Sequence, residues 1–359
     1  MHKNYLFFFI YLLTSFCFSQ DVDSINIKQE KGQIILFGEA HFVKEKYDEM
    51  KHVIKQKLNN IPPKEKVSMF FELPASLNYA INKLQKEKDS TLFINWFDHV
   101  YKQKNKKPSF FWKDYKDFIL WLIHFAKEKD IELNLKCIDR ELEYRRTAYI
   151  LSNFKTKIGT KIDSFVNLDY IQNSTKNRTF LINYVKELSK ITNNTKEIEI
   201  LDQLKIALPI DCTICLKRDQ FLYHTFKKYY RKTDALVFGT FGLDHVINKP
   251  DFSNVGEFFK SYHKVDTTNH KSLYNFLKDD FKDKIYRVGI IALKQDMKFS
   301  SLKKPKDYSF MMTKDERLYI ENLFEDKAII RFYPKSHNTL NNFAANLDYV
   351  IIYKISNCK

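Results

Sequence analysis

The chain has 359 residues, 44% of them apolar and 16% aromatic, which excludes wholesale disorder and allows one large core or two intimate ones. Its formal net charge is +16, from 60 Lys and Arg against 44 Asp and Glu. The lysines are scattered, and no basic stripe, stacking motif or recognition helix marks a nucleic-acid binder, so the charge reads as a solvated basic surface and no nucleic-acid partner is expected.

His2 and Lys3 precede an apolar run from Tyr5 to Phe18, and small residues near its end place a cleavage site close to Ser19. This is a signal-peptide profile, and the run falls short of the about 20 residues a membrane-spanning helix needs. The expectation is residues 1–19 as signal peptide and 20–359 as one exported α/β domain, periplasmic or extracellular, with no transmembrane anchor. Cys17 leaves with the signal, and the bulky Phe16 before it argues against a lipoprotein. The remaining cysteines are Cys137, Cys212, Cys215 and Cys358. The Cys212-x-x-Cys215 spacing suits a structural disulfide, a redox pair or half a zinc site, and no second half of a zinc site accompanies it.

Gln33 to Phe37 reads as a short buried strand ending in Gly38-Glu39-Ala40-His41, and Lys44 to Leu58 reads as an amphipathic helix. A second apolar run, Val67 to Phe71, ends in Glu72 and Pro74 before a helical stretch from Ala75 to Lys86. Helical spacing over Asp114–Lys129 leads to a third strand, Leu133–Ile138, which ends in Asp139-Arg140, with a further helix over Glu141–Asn153. The segment 155–209 is charged, rich in Asn and Lys, and helical in period, so it reads as a helical insertion or cap. Alternation resumes with the helix Leu216–Arg231 and the strand Ala235–Gly239, followed by Thr240-Phe241-Gly242-Leu243-Asp244-His245. Runs at Arg287–Leu293, Ala328–Phe332 and Tyr349–Ile355 supply later strands. Such alternation predicts an α/β fold: a central, mostly parallel sheet flanked by helices.

In an open parallel sheet the ligand crevice lies beyond the carboxyl ends of the strands. Four strands deliver polar groups there: Glu39 and His41, Glu72, Asp139 and Arg140, and His245. A histidine beside a carboxylate suits proton transfer at neutral pH, with the carboxylate fixing its tautomer. On this reading His41 or His245 is the base, Glu39 and Glu72 orient it, and Arg140 or Arg218 stabilises an oxyanion. Glu39, His41, Glu72 and His245 are equally a candidate set for a divalent metal. With only 7 glycines in the chain, those flanking His245 stand out, either for close approach of a substrate or as a tight turn. Serine-nucleophile elbows, phosphate-binding P-loops and dinucleotide turns are absent from the sequence.

Taken together, Gly38-Glu39-x-His41, the Phe71-Glu72 strand end and the Gly242-x-x-His245 loop resemble the erythromycin esterase-like and ChaN-like group, within the broader TraB and Tiki superfamily. Arg218-Asp219 is similar to an Arg-Asp pair that esterase-like members carry before the last of these strands. The resemblance spans about Gln33 to Val246. It departs at Ala40-His41, where esterase-like members place a Thr between the two, and there it looks more like the ChaN or TraB and Tiki side. It implies hydrolysis of an ester or amide bond in a small-molecule or peptide substrate, with His41, Glu72, His245 and Glu39 catalytic and Arg218 and Asp219 binding substrate, to which the strand-end reading adds Asp139 and Arg140. Its ChaN side implies instead a non-catalytic binder of haem, iron or another ligand.

Overall fold

A strand buried on both faces of a parallel sheet is apolar at every position rather than at alternate ones, and the central strands here are of that kind. β1 (Gln33–Glu39) and β4 (Leu236–Gly242) are buried along their whole length. They lie within a seven-stranded sheet with β2 (Lys66–Pro74), β3 (Glu132–Asp139), β5 (Ile285–Met297), β6 (Ile329–Phe332) and β7 (Tyr349–Cys358). The order is β3-β2-β4-β1-β5-β7-β6, parallel throughout except for the antiparallel edge pair β6 and β7. The computed structural model describes residues 30–40, 43–98, 110–141, 143–159, 161–166, 175–210, 216–248, 271–297, 312–324 and 327–358. The expected signal peptide, His41 and the Cys212-x-x-Cys215 pair lie outside the described residues.

Alternate side chains of the strands feed opposite layers. Ile35, Phe37, Met69, Phe71 and Phe238 join one cluster with Tyr47, Met50, Val53 and Ile54 of the helix Lys46–Leu58. Ile34, Leu36, Phe70 and Val237 join the other with Leu222 and Phe226 of the helix Leu216–Tyr229 and Leu273 and Leu277 of the helix Leu273–Phe281. The chain therefore leaves the neighbouring strands β1 and β4 toward opposite faces, the arrangement at which open α/β sheets place a ligand site beyond the strand ends.

The helix expected over Ala75–Lys86 is broken into a 3-10 turn at Ala75–Leu77, a short α-helix at Asn78–Asn82 and a π turn at Lys83–Glu87. The cause is the exposed edge of β3. Asn78 donates its Nδ2 to the carbonyl of Cys137 at 2.7 Å and accepts the Cys137 amide at 2.8 Å, while Gln85 donates to the carbonyl of Leu133 at 2.8 Å. Two side-chain amides thus stand in for a missing strand, which a regular helix could not have presented, and close an edge open to mispairing.

The expected helical insertion holds the helices Thr175–Ile191 and Thr195–Ala207. Leu181, Val185, Leu188, Ile200, Leu201 and Leu204 belong to the main apolar cluster, so this segment shares the core of the sheet. Cys137 is a buried free thiol whose pKa burial pushes well up. Among the described residues no helix is long and apolar enough to cross a membrane.

Candidate active site

Parallel pairing sets β1 against β4 with Gly38 opposite Phe241 and Glu39 opposite Gly242, so both strands end at one level. At Gly38 a Cβ would sit 2.9 Å from Leu243 Cδ1 and 3.0 Å from Val246 Cβ. The glycine therefore lets the short helix Leu243–Val246, which carries His245, pack directly on β1.

His245 is 6% exposed. Its Nδ1 lies 2.6 Å from Asp219 Oδ1, and its Nε2 lies 3.4 Å from Glu72 Oε1. Asp219, on the helix Leu216–Tyr229, also accepts the amide of Leu273 at 3.0 Å, which anchors the carboxylate from a second helix. Burial is the largest influence on the imidazole and pulls its pKa down, but Asp219 and then Glu72 outweigh it and raise His245 to about 10. The ring is therefore an imidazolium at neutral pH, with Nδ1–H held tightly and Nε2–H held loosely.

Glu72 is fixed from two sides. The Gly242 amide donates to its Oε2, and Arg218 donates an Nη2–H to its Oε1 at 2.5 Å. The same guanidinium grips Asp139 through Nε to Oδ1 at 2.9 Å and Nη2 to Oδ2 at 2.6 Å. Asp139 is fully buried and also accepts the Arg140 amide at 2.7 Å. Burial works against the Arg218 charge, and Asp139 and Glu72 more than restore it, so its pKa lies above its ordinary value. Three carboxylates face two cations here, which is why the cluster keeps the His245 proton. Arg140 itself is buried, with Nη1 3.4 Å from the carbonyl of Glu141.

Glu39 takes part with a residue that the sequence reading missed. Lys46, 1% exposed at the start of the first helix, places Nζ 2.5 Å from Glu39 Oε2. Its pKa is lowered, by burial first, against the opposing pull of Glu39, Glu72 and Asp114. The signal was in the helical period: Lys46, Met50 and Val53 recur on a stripe that is buried. Tyr47 and Tyr115, with rings 5.4 Å apart, stand in the field of Glu39 and Glu72 and are pushed well up, by burial first. Of the residues singled out from the sequence, Glu39, Glu72, Asp139, Arg218, Asp219 and His245 converge on the carboxyl ends of β1 to β4. His41 lies outside the described residues.

Haem or a divalent ion would need donors with free lone pairs. His245 turns both nitrogens toward carboxylates, and Glu39 accepts from Lys46. Among the described residues no three His, Cys, Asp or Glu side chains are grouped to hold a metal ion. His41, the fourth member of the candidate metal set, lies outside the described residues.

This architecture defines an α/β protein with a buried acid–base cluster at the strand ends. Its fold is that of erythromycin esterase: the esterase EreC in its open conformation superposes with a TM-score of 0.52 and 12% identity, over 91% of this chain and 91% of that chain. A Bacillus cereus protein of known crystal structure gives 0.54 and 12%, over 91% and 90%. The ChaN protein of Campylobacter jejuni, described with cofacial haem binding, gives 0.35 and 14%, over 90% and 88%. No protein-family model and no curated protein matches the sequence. At this identity the likeness to the first two concerns the fold, and there it agrees with the expectation from the strand-end motifs.

Proposed function

We propose that the protein is an exported hydrolase of ester or amide bonds, acting on a small molecule or peptide at the carboxyl ends of β1, β2 and β4. The observation that carries this reading is the buried His245 ring, with Nδ1 2.6 Å from Asp219 and Nε2 3.4 Å from Glu72, two carboxylates that favour its charged form. A proton in that position suits stabilisation of a developing oxyanion and delivery to a leaving oxygen or nitrogen.

The β1 end removes a proton from water, through Glu39 or through His41 of the same motif. The water oxygen then adds to the carbonyl carbon, with Nε2–H of His245 facing the negative charge that develops on the carbonyl oxygen. Collapse breaks the bond to the leaving group, which takes the Nε2 proton, and the proton lodged at the β1 end restores the imidazolium. Glu72 orients the ring and is itself held by Arg218 and the Gly242 amide, while Asp139 locks Arg218. The assignment of His245 as proton donor differs from the sequence expectation of a base, because three carboxylates surround two cations.

The test is hydrolysis of a panel of p-nitrophenyl acyl esters and p-nitroanilides by the mature chain, beside Glu72→Gln and His245→Asn. The expected result is turnover by the wild type and loss of about 10²-fold or more in each variant, assayed at a temperature where the variant is still folded by its own cooperative unfolding curve. Turnover that survives His245→Asn would refute the reading.

A further inference from the structure

Lys46 is a buried charged group at this site that the hydrolytic scheme leaves unused. A lysine is almost never fully buried unless paired, and its ammonium gives up strong hydration to reach Glu39. Both side chains of the pair are nearly sealed, at 2% and 7% exposure. An ion pair so placed adds little stability that an apolar pair of the same volume could not add, so a use beyond stability is worth seeking.

The geometry supplies one. In the order β2-β4-β1, Glu72 and Glu39 end the two strands that flank β4, and Gly242 lies between them. Glu72 is held by Arg218, and Glu39 by Lys46. The Lys46 ammonium feels Glu72 and Asp114 as well as Glu39, and it rests 5.0 Å from the Tyr47 ring centroid. Without Lys46 the buried Glu39 carboxylate would lose the ammonium that offsets its charge, whereas Glu72 keeps Arg218.

We propose that Lys46 is a positioning residue of this site, holding Glu39 in one orientation as the acceptor of the proton that water gives up. The proposal rests on the hydrolase reading and adds a role for a residue outside the strand-end motifs. Lys46 acts through Glu39 and does not touch the substrate.

The experiment is a double-mutant cycle on the mature protein, with Lys46→Met, Glu39→Gln and both together, assayed on the best ester of the panel. Acting through Glu39, Lys46→Met lowers kcat by about tenfold or more with KM within about twofold, and costs nothing further in the Glu39→Gln background. Lys46→Arg, which keeps a cation, restores part of kcat. Should Lys46→Met fail to fold, the double variant, which buries no lone charge, is compared with Glu39→Gln alone, and equal kcat in the two supports the proposal. Independent losses that multiply in the double variant, or a Lys46→Met enzyme with unchanged kcat, overturn it. If the wild type hydrolyses nothing, the hydrolase reading has failed and this proposal falls with it. If the wild type turns over and Lys46→Met is indifferent, this proposal alone fails.

Discussion

Replacing Arg218 with Met tests whether the site is held together by its charges. The guanidinium makes three hydrogen bonds to two carboxylates, at 2.5, 2.6 and 2.9 Å, in a place where Arg218 and Glu72 are 6% and 10% exposed and Asp139 not at all. Methionine fills a similar volume but leaves Asp139 and Glu72 buried without their cation. Breaking a buried pair by removing one partner costs about 3–5 kcal/mol, a large part of a typical stability of about 5–15 kcal/mol. Denaturant unfolding followed by tryptophan fluorescence reads this loss. The penalty shrinks between pH 7 and pH 5, because the stranded carboxylates take up protons more readily in the folded variant than in its unfolded chain. Adding Asp139→Asn recovers part of the stability, since one of the two carboxylates that lost the guanidinium is then neutral. A loss below about 1 kcal/mol, or a penalty independent of pH, would refute the reasoning.

Two further outcomes follow from the same geometry. Gly38→Ala drives a methyl group against Leu243 and Val246, so the turn bearing His245 shifts off β1. The expected cost is about 1–3 kcal/mol in denaturant unfolding, with a fall in ester turnover larger than the stability loss explains. For His245 the folded pKa, about 10, lies above the unfolded value near 6.5. Its contribution is therefore complete below about pH 6.5 and is lost as pH rises toward 10, to a total on the order of 3–5 kcal/mol. Melting curves of wild type and His245→Asn should accordingly converge between pH 7 and pH 10, and a gap that stays constant would contradict the charged ring.

The parts of the fold legible in the sequence were those where burial on both faces writes a continuous apolar run. β1, β2 and β4 are visible this way, the edge strand β3 shows instead the alternation Leu133, Leu135, Cys137, and the polar residues near the strand ends are visible in all four. Strand order was not legible, because the insertion of β4 between β2 and β1 is decided by pairing across some 200 residues of sequence rather than by local pattern. The broken helix after Pro74 was also hidden, since Asn78 and Gln85 look like ordinary helix-surface residues until the bare edge of β3 is beside them. Within the site, Glu72 and His245 could be named in advance, but their protonation could not. It depends on Asp219 arriving 2.6 Å from one ring nitrogen and on the number of carboxylates enclosed with the ring. Lys46 was passed over because lysine is read as solvated, although its place on the buried stripe of its helix contradicted that habit.

The charge state of His245 carries the account, and it can be read without a substrate. Imidazole nitrogen NMR on histidine-labelled mature protein, with the His245 signals assigned by their absence in His245→Asn, shows directly whether one or both nitrogens bear hydrogen. The account predicts two protonated nitrogens at pH 8, with Nδ1–H strongly shifted by its bond to Asp219, and no deprotonation until the pH approaches 10. A single protonated nitrogen at pH 8, with titration near 6.5, would contradict it and return His245 to the role of a base.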